Sequence, residues 1–329
     1  MPPVDNLVGS AQQAGVEFAR DEAVQPEHQF AMQMARAQPW KERLTPGGKQ
    51  AYMDLVSFFS ASGLMMSFDD LQLRAVIGSG AFATVFRAIY RKRDVAVKKL
   101  MGGGGGPMEK TLRDFKTEAA LLSRLRHRNI IAPIGATADP VTIVMEYCSR
   151  GNLMMLLNDT AIDLPWPRRL RMCVDVAAGM RYLHTQNPVI IHRDLKSLNV
   201  LVDDNWVSKV TDFGLSRFKA TSESEKMTGQ AGTYHWMSPE VINSQHYTEK
   251  ADVFSFGIIM WEVYTRSIPY DGMQPVQVVA AVLGRRERPR IPATCPPILA
   301  ALIQQCWSHD PAVRPAFDEI HARLEAMPS

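Results

Sequence analysis

The chain has 329 residues, of which 46% are hydrophobic and 22% are charged, and its formal net charge is +3. A hydrophobic share within the globular range of about 45–50% and a nearly balanced charge exclude a charge-extended disordered chain and a histone-like polycation. The length predicts about two domains of about 150 residues each.

The cysteine usage and the start of the chain predict a cytoplasmic protein. The four cysteines form no C-x-x-C pair, so neither a disulfide scaffold nor a structural zinc site is expected. The first residues lack a basic region followed by an apolar stretch, and Pro2 does not allow N-myristoylation. No run of about 18 apolar residues exists, so we expect no transmembrane segment.

Residues 1–66 differ in composition from the rest and predict a largely flexible N-terminal extension. Their first part is rich in Ala, Gln and Pro and shows little periodicity. An amphipathic helix near 50–62 is predicted by apolar residues at the spacing i, i+3, i+4 and i+7, namely Tyr52, Leu55, Val56 and Phe59. This helix either packs on the following domain or docks a partner.

After the extension, the pattern changes from strands to helices. Alternating apolar residues from Leu71 predict a first strand, and Val95–Val97 predicts a later one. Five consecutive glycines, 102–106, form a connector before a predicted helix, and two more strands are expected over 130–146. Beyond Gly151 the periodicity is mainly helical. The order predicts an α+β protein with a β-rich and a helical part.

Two motifs in the β-rich part bear on phosphate chemistry. The sequence Gly78-Ser-Gly80, followed by Val85, lies between two predicted strands and fits either an ordinary hairpin or a loop whose N–H groups cover an anion. Lys98 ends an apolar strand and Glu118 lies on the next predicted helix. They fit either solvated side chains or an ion pair that directs the ammonium group at phosphates.

Two further motifs lie in the helical part. The stretch from His192 to Asn199 holds a His, an Asp, two cations and an Asn directly after an apolar run. Asp212, in Thr-Asp-Phe-Gly, follows another apolar run, and carboxylate and amide oxygens suit Mg²⁺. Phosphoryl transfer needs a phosphate cover, a cation, metal ligands and an acceptor for the hydroxyl proton.

The order of these four motifs resembles the signature of a eukaryotic protein kinase domain. The resemblance covers about Phe68 to Met327. It implies a two-lobed α+β fold, with an extension over 1–66 and a kinase domain over 67–328. The N-lobe would span 67–147 and the C-lobe 148–328. Ala83 replaces the third glycine of the family's loop.

The resemblance also implies roles for individual residues. Asp194 would be the catalytic base, Lys196 would neutralise charge on the transferred phosphoryl group, and Asn199 and Asp212 would be Mg²⁺ ligands. The implied ATP-binding residues are Ile77, Gly78, Gly80, Val85, Ala96, Lys98, Glu118, Met145, Glu146, Cys148, Leu201 and Asp212. Asp252 would anchor the central helix, and Arg314 would pair with Glu240. The implied cofactors are ATP and Mg²⁺.

The finer resemblance is to the tyrosine-kinase-like group. Lys196, two residues after Asp194, is typical of serine/threonine kinases. The segment from Gly232 to Met237 is similar to the Raf-like and mixed-lineage kinases, which often act on a downstream kinase. The resemblance therefore implies serine/threonine phosphorylation of protein substrates in a signalling cascade. A pseudokinase scaffold, a dual-specificity kinase and a homodimer stay open as alternatives.

Regulation by phosphorylation is a further expectation. Arg193 precedes the catalytic Asp194 and would pair with a phosphate on the activation segment. The candidate phosphorylation sites are Thr221, Ser222, Ser224 and Thr228, of which Thr228 best matches the group's phosphorylated position. Runs of basic residues elsewhere lack interleaved aromatic side chains, so we expect no nucleic-acid partner.

Overall fold

The computed structural model of the chain describes residues 40–80, 82–102, 107–212 and 234–328. These residues fall into two compact units. The first holds the described residues up to Arg126 together with Ile131–Tyr147, and the second holds His127–Ile130 together with the described residues from Cys148 onward.

The first unit is built on a five-stranded antiparallel sheet with the order β1-β2-β3-β5-β4. Its strands are β1 (Gln72–Ser79), β2 (Ala83–Tyr90), β3 (Arg93–Leu100), β4 (Pro133–Ala138) and β5 (Val141–Glu146). One face of the sheet forms a core in which Phe86 of β2, Val97 of β3 and Val144 of β5 lie opposite one another. Because successive side chains of a strand point to opposite faces, Ala96 and Lys98 of β3 lie on the face away from this core.

A tight turn joins β2 to β3. Arg91 and Lys92 adopt φ values of 48° and 64°. Two residues with positive φ form a turn whose twist matches that of the flanking strands, so these two cations keep the hairpin in register.

Two α-helices lie in the described part of the first unit. They are α1 (Pro46–Ala61) and α2 (Met108–Arg124). The Thr45 hydroxyl accepts a hydrogen bond from the Gly48 N–H at 3.1 Å and caps α1, and Pro46 occupies its first turn. Helix α1 packs against α2, and two of its side chains, Leu55 and Phe59, are completely buried. A helix was predicted near 50–62, and it begins earlier because of this cap.

The second unit is mainly helical and carries one small antiparallel ribbon. Its helices are α3 (Leu153–Asn158), α4 (Trp166–His184), α5 (Pro239–Ile242), α6 (Lys250–Thr265), α7 (Pro275–Ala280), α8 (Pro297–Cys306) and α9 (Phe317–Glu325). The ribbon consists of β6 (Val200–Val202) and β7 (Ser208–Val210). Helix α6 is apolar on all sides and buried from Ala251 to Val263, which makes it the centre of the unit.

The segment His127–Ile130 belongs to the helical unit because its backbone is held there. The Asn129 amide donates to the Ser208 carbonyl at 2.9 Å, and the Val210 N–H donates to the Asn129 carbonyl at 2.9 Å. Gly179 of α4 permits this approach, since a methyl group there would lie 2.6 Å from the Asn129 oxygen. Within the described ranges, no helix has the length and apolar character needed to cross a bilayer.

Candidate active site

The turn between β1 and β2 contains Gly78 and Gly80. Gly78 lies opposite Val85 in the ladder, and the Gly80 N–H donates to the Ala83 carbonyl at 2.9 Å. A methyl group on either glycine would meet its nearest neighbour at 3.6 Å, an ordinary van der Waals distance, and neither glycine has a positive φ. The local backbone therefore does not itself require glycine here.

Lys98 and Glu118 form a buried ion pair within the first unit. The Lys98 Nζ of β3 donates to the Glu118 Oε1 of α2 at 2.7 Å. Both side chains are almost completely buried, at 8% and 3% exposed. A charge-assisted hydrogen bond in such surroundings is strong, and it fixes where the ammonium group lies.

The strand register places several predicted residues on the same face as this ion pair. Val85 lies opposite Lys98, and Ala96 lies opposite Met145. Residues directly opposite each other, and residues two apart on one strand, share a face. Val85, Ala96, Lys98 and Met145 therefore line one side of the sheet, and Ile77 on β1 is partly exposed.

Three further residues predicted to contact the nucleotide, Glu146, Cys148 and Leu201, follow one another along the chain from the end of the first unit into the second. Glu146 ends β5, and its carboxylate accepts the Ala132 N–H at 2.7 Å. Cys148 is buried in the second unit, where its carbonyl accepts the Gly151 N–H at 3.2 Å. Leu201 is half-buried on β6.

In the second unit, Asp252 of α6 holds the backbone of the loop before Asp194. Its two carboxylate oxygens accept the N–H groups of His192 at 2.8 Å and Arg193 at 2.9 Å, and Oδ2 also lies 2.9 Å from His184 Nε2. Burial alone would raise the pKa of Asp252, but the hydrogen bond from His184 and the two nearby histidines outweigh it and lower that pKa. Arg193 has a φ of 69°, a strained value that this anchor maintains.

Asp194 lies at the centre of a compact polar cluster. The Lys196 Nζ donates to both carboxylate oxygens of Asp194, at 3.1 and 2.9 Å. The Asn199 Nδ2 donates to the Asp194 carbonyl at 2.8 Å and to its Oδ2 at 3.1 Å. Asn199 lies in a 3₁₀ turn, Ser197–Asn199. The loop thus brings a carboxylate, a cation and an amide together.

Asp212 follows β7 and is joined to the same loop through its neighbour. The Thr211 N–H donates to the Asn199 carbonyl at 3.0 Å, and the Thr211 carbonyl lies 2.9 Å from His192 Nε2. Asp212 itself has a φ of 59°. A backbone hydrogen bond therefore joins Asn199 to the residue before Asp212, so both residues with oxygen-bearing side chains belong to one hydrogen-bonded segment.

A family model described as protein tyrosine and serine/threonine kinase matches residues 71–324. The chain belongs to this protein kinase family. The recognition of a Raf-like, tyrosine-kinase-like domain from the sequence is confirmed, as is the α+β fold class.

Curated relatives share this kinase domain. The chain is 45% identical over 260 residues to the probable serine/threonine-protein kinase drkD of Dictyostelium discoideum, covering 78% of this chain and 20% of that protein. In Arabidopsis thaliana, it is 46% identical over 262 residues to the serine/threonine-protein kinase CTR1, covering 78% and 32%. It is also 46% identical over 252 residues to the serine/threonine/tyrosine-protein kinase HT1, covering 75% and 64%. The chain thus spans about a fifth to two thirds of these relatives' lengths.

Membership of the kinase family implies ATP and a divalent metal ion. The donor set fits such an ion, because Asn199 and Asp212 offer a neutral and an anionic oxygen, the ligand atoms that hard cations prefer. The Thr211 N–H, which donates to the Asn199 carbonyl, joins the two residues through the backbone.

The predicted regulatory residues of the kinase are described only in part. Arg193 is half-buried, and its guanidinium lies 5.6 Å from the centre of the Tyr247 ring. Thr221, Ser222, Ser224 and Thr228 lie outside the described residues.

No sequence motif pointed to Glu262, a buried carboxyl of the kinase on α6. Its Oε1 accepts the Ser197 hydroxyl at 2.8 Å, and its Oε2 accepts the Trp236 Nε1–H at 2.6 Å. Burial raises the pKa of Glu262 to about 8, although these two hydrogen bonds oppose the shift. The available signal was an acidic residue inside an otherwise apolar helix, because such a residue needs partners.

Proposed function

We propose that this kinase domain transfers the γ-phosphoryl group of Mg·ATP to serine or threonine hydroxyl groups of protein substrates. The observation that carries the proposal is the cluster in which Lys196 and Asn199 both donate to the Asp194 carboxylate. Asp194 would orient the acceptor hydroxyl and take its proton. Because the transition state of phosphoryl transfer is loose, orientation matters more than proton removal.

Each remaining residue of the site has a defined part in this proposal. Lys196 would neutralise charge that develops on the transferred group, and Lys98, oriented by Glu118, would contact the α- and β-phosphates. Asn199 and Asp212 would hold Mg²⁺, which when bound neutralises phosphate charge. The face with Val85, Ala96 and Met145 would hold adenine.

The glycine turn supports the phosphate-binding role. Neither Gly78 nor Gly80 is required by its own backbone angles or by close neighbours. A requirement from a ligand explains them better, since glycines let N–H groups approach phosphate oxygens closely.

The choice of acceptor hydroxyl is supported by Lys196 and by the relatives' names. Lys196 follows Asp194 at the spacing typical of serine/threonine kinases. Two relatives are named as acting more broadly, the serine/threonine/tyrosine-protein kinase HT1 and the dual specificity protein kinase shkA of Dictyostelium discoideum. Dual specificity is therefore the second candidate. The pseudokinase alternative is weaker, because Lys98, Glu118, Asp194, Asn199 and Asp212 are all present.

A peptide-library assay with Ser, Thr and Tyr acceptors tests the proposal. Wild-type chain should label Ser and Thr peptides, and Asp194→Asn should lose about 10²–10⁴ in kcat, the range for a positioned general base. Labelled Tyr peptides would favour dual specificity. Mg·ATP binding without labelling in the wild type would favour the pseudokinase.

We also propose that phosphorylation of Thr228 raises activity by pairing with Arg193. Ser224, Ser222 and Thr221 are the neighbouring candidates. Mass spectrometry of the active chain should find phosphate on Thr228, and Thr228→Ala should lower activity. Full activity in Thr228→Ala, with no phosphate at that site, would refute the proposal.

The proposal also covers the domain bounds, cellular location, substrate and oligomeric state of the chain. We propose an extension over 1–66 and a kinase domain over 67–328. A cytoplasmic location is supported by the four cysteines, which form no C-x-x-C pair in the sequence. The substrate would be a downstream kinase in a signalling cascade. Light scattering would test the homodimer, which requires twice the mass of 36.8 kDa.

A further inference from the structure

Residues 40–66, here called the N-terminal brace, contact the rest of the first unit at three places. Trp40 is buried, and a methyl group on Gly102 would overlap its indole, so the ring lies directly against the chain just beyond β3. Trp40 also packs edge-on against Tyr52 of α1, with ring centres 6.5 Å apart.

The brace is fixed to the edge of the sheet. The Ala136 N–H of β4 donates to the Leu64 carbonyl at 2.7 Å, and the Met66 N–H donates to the Ala136 carbonyl at 2.9 Å. Gly135 permits this approach, because a methyl group there would overlap Met66. Since β4 is the edge strand, the brace pairs with backbone groups that would otherwise be unpaired.

Two side-chain contacts extend this attachment to the turn between β4 and β5. The Tyr52 hydroxyl donates to the Ala138 carbonyl at 3.1 Å. The Lys41 Nζ lies 3.0 Å from the Asp139 Oδ1. The brace is thus joined to β4 by both backbone and side chains.

The third contact is with α2, the helix that carries Glu118. Helix α1 packs against α2, and its Leu55 and Phe59 side chains are completely buried. Glu109, in the first turn of α2, lies so close to Gly47 that a methyl group there would overlap its carboxylate. A carboxylate beside the first turn of α1 also interacts favourably with the helix dipole.

The sequence of the segment that connects β3 to α2 indicates why α2 needs contacts with the brace. Lys98 lies on β3, Glu118 lies on α2, and the chain between these elements contains five consecutive glycines, 102–106. Glycine has no side chain that could pack and has the largest backbone freedom. These five glycines therefore offer no side chain that could hold α2 in place, whereas the brace contacts the sheet edge, the chain just beyond β3 and α2.

We propose that the N-terminal brace positions α2 against the sheet and thereby maintains the Lys98–Glu118 ion pair. Trp40, Tyr52 and Phe59 are positioning residues in this proposal. It deepens the proposed function, because the ion pair would orient Lys98 toward the phosphates of ATP.

The test compares Trp40→Ala with Met53→Ala in the full chain. Met53 lies on the same helix and is 62% exposed, so its truncation removes little packing. Hydrogen–deuterium exchange of α2 should be at least about tenfold faster in Trp40→Ala than in Met53→Ala, because local opening sets amide exchange. Tyr52→Phe, which removes only one hydroxyl, should give a smaller change in the same direction.

A binding measurement separates positioning from simple destabilisation. The dissociation constant of Mg·ATP, measured by calorimetry, should rise about tenfold in Trp40→Ala, as expected when one charge-assisted hydrogen bond is weakened. In a Glu118→Gln background, Trp40→Ala should cause little further change, because coupled residues are not additive.

The proposal is overturned if Trp40→Ala and Tyr52→Phe lower the melting temperature but exchange at α2 like Met53→Ala. It is also overturned if Trp40→Ala weakens Mg·ATP binding equally with and without Glu118. Hydrogen–deuterium exchange and Mg·ATP binding can both be measured without phosphate transfer. A wild-type chain that fails to label peptides would therefore refute the proposed function without deciding whether the brace positions α2. If Trp40→Ala does not fold, Gly102→Ala serves as the second variant, because its methyl group would displace the same indole.

Discussion

Arg314 and Glu240 form a buried, two-pronged ion pair in the second unit. The Arg314 Nη1 lies 2.6 Å from Glu240 Oε1, and Nη2 lies 2.9 Å from Oε2. The Arg314 side chain is 0% exposed. Burial alone would raise the pKa of Glu240, but the hydrogen bonds and charge of Arg314 outweigh it and lower that pKa. The pair connects α5 to the chain before α9.

Arg314→Leu should destabilise the second unit strongly. Removing one partner of a buried ion pair typically costs about 3–5 kcal/mol, because the remaining charge is left without compensation. Arg323→Ala is the control, since its partner Glu319 is 57% exposed and such surface pairs contribute about 0–1 kcal/mol. Urea unfolding measures the free energy of unfolding of Arg314→Leu and of Arg323→Ala. Equal free energies of unfolding for the two variants would contradict the prediction.

Glu262 predicts a specific pH dependence of stability. Burial raises its pKa from 4.5 to about 8 in the folded chain. Between these values the folded state binds the proton and the unfolded state releases it, so stability falls as pH rises from about 4.5 to about 8 and is level above that range.

Glu262→Gln should remove this contribution, because the amide does not ionise. The melting temperature of Glu262→Gln should fall less steeply with pH across the same range than that of the wild type. Glu325→Gln is the control, since the Glu325 side chain is 54% exposed on α9. Parallel melting curves for wild type and Glu262→Gln would show that Glu262 titrates normally.

The sequence predicted those features that depend on short-range pattern. The strand that carries Lys98 followed from the apolar run before it, although β3 continues to Leu100, and α6 followed from its apolar character. Lys98 and Glu118, which are 20 residues apart in the sequence, are in contact in the structure, as the motif order indicated. These predictions succeeded because strand alternation and motif spacing are local properties.

Features that depend on long-range packing were not predictable. Trp40 is not part of a periodic apolar pattern, and its contact with Gly102 joins residues that are far apart in the chain. Lys99 was also missed. It is buried, and its pKa is lowered by burial to about 8, although a lysine near the end of a strand usually reaches solvent. Which residues cover it is set by tertiary packing alone.

The Lys98–Glu118 pair gives a third prediction. Glu118→Gln keeps a hydrogen-bond acceptor but removes the charge, so we expect Mg·ATP to bind about tenfold more weakly, the effect of losing about 1.5 kcal/mol. Lys98→Met should be more severe, because it also leaves Glu118 buried without its cation.

A matched control lies on the same strand. Lys99 is buried on the opposite face of β3, so Lys99→Met removes a buried lysine without touching Glu118. It should leave the dissociation constant of Mg·ATP within about twofold of wild type, a change well below 1 kcal/mol. Equal weakening by Lys98→Met and Lys99→Met would show that the ion pair has no special part in binding.

The cluster at Asp194 predicts that Lys196 acts together with the carboxylate. Lys196→Ala should lower kcat by about 10²–10³, the range for removing one preorganised stabilising group, while Mg·ATP affinity changes little. Because Lys196 donates to both oxygens of Asp194, each side chain depends on the other for its position.

A double-mutant cycle tests this dependence in single-turnover measurements. Asp194→Asn combined with Lys196→Ala should lose about as much as the more severe single variant, because residues that act as a unit are strongly non-additive. Arg285→Ala is a control for removing a cation from the same unit, since its side chain is 55% exposed and its partner Glu287 is 43% exposed. Fully additive losses would mean that Lys196 acts on the substrate independently of Asp194, and the short contacts between them would then be incidental to transfer.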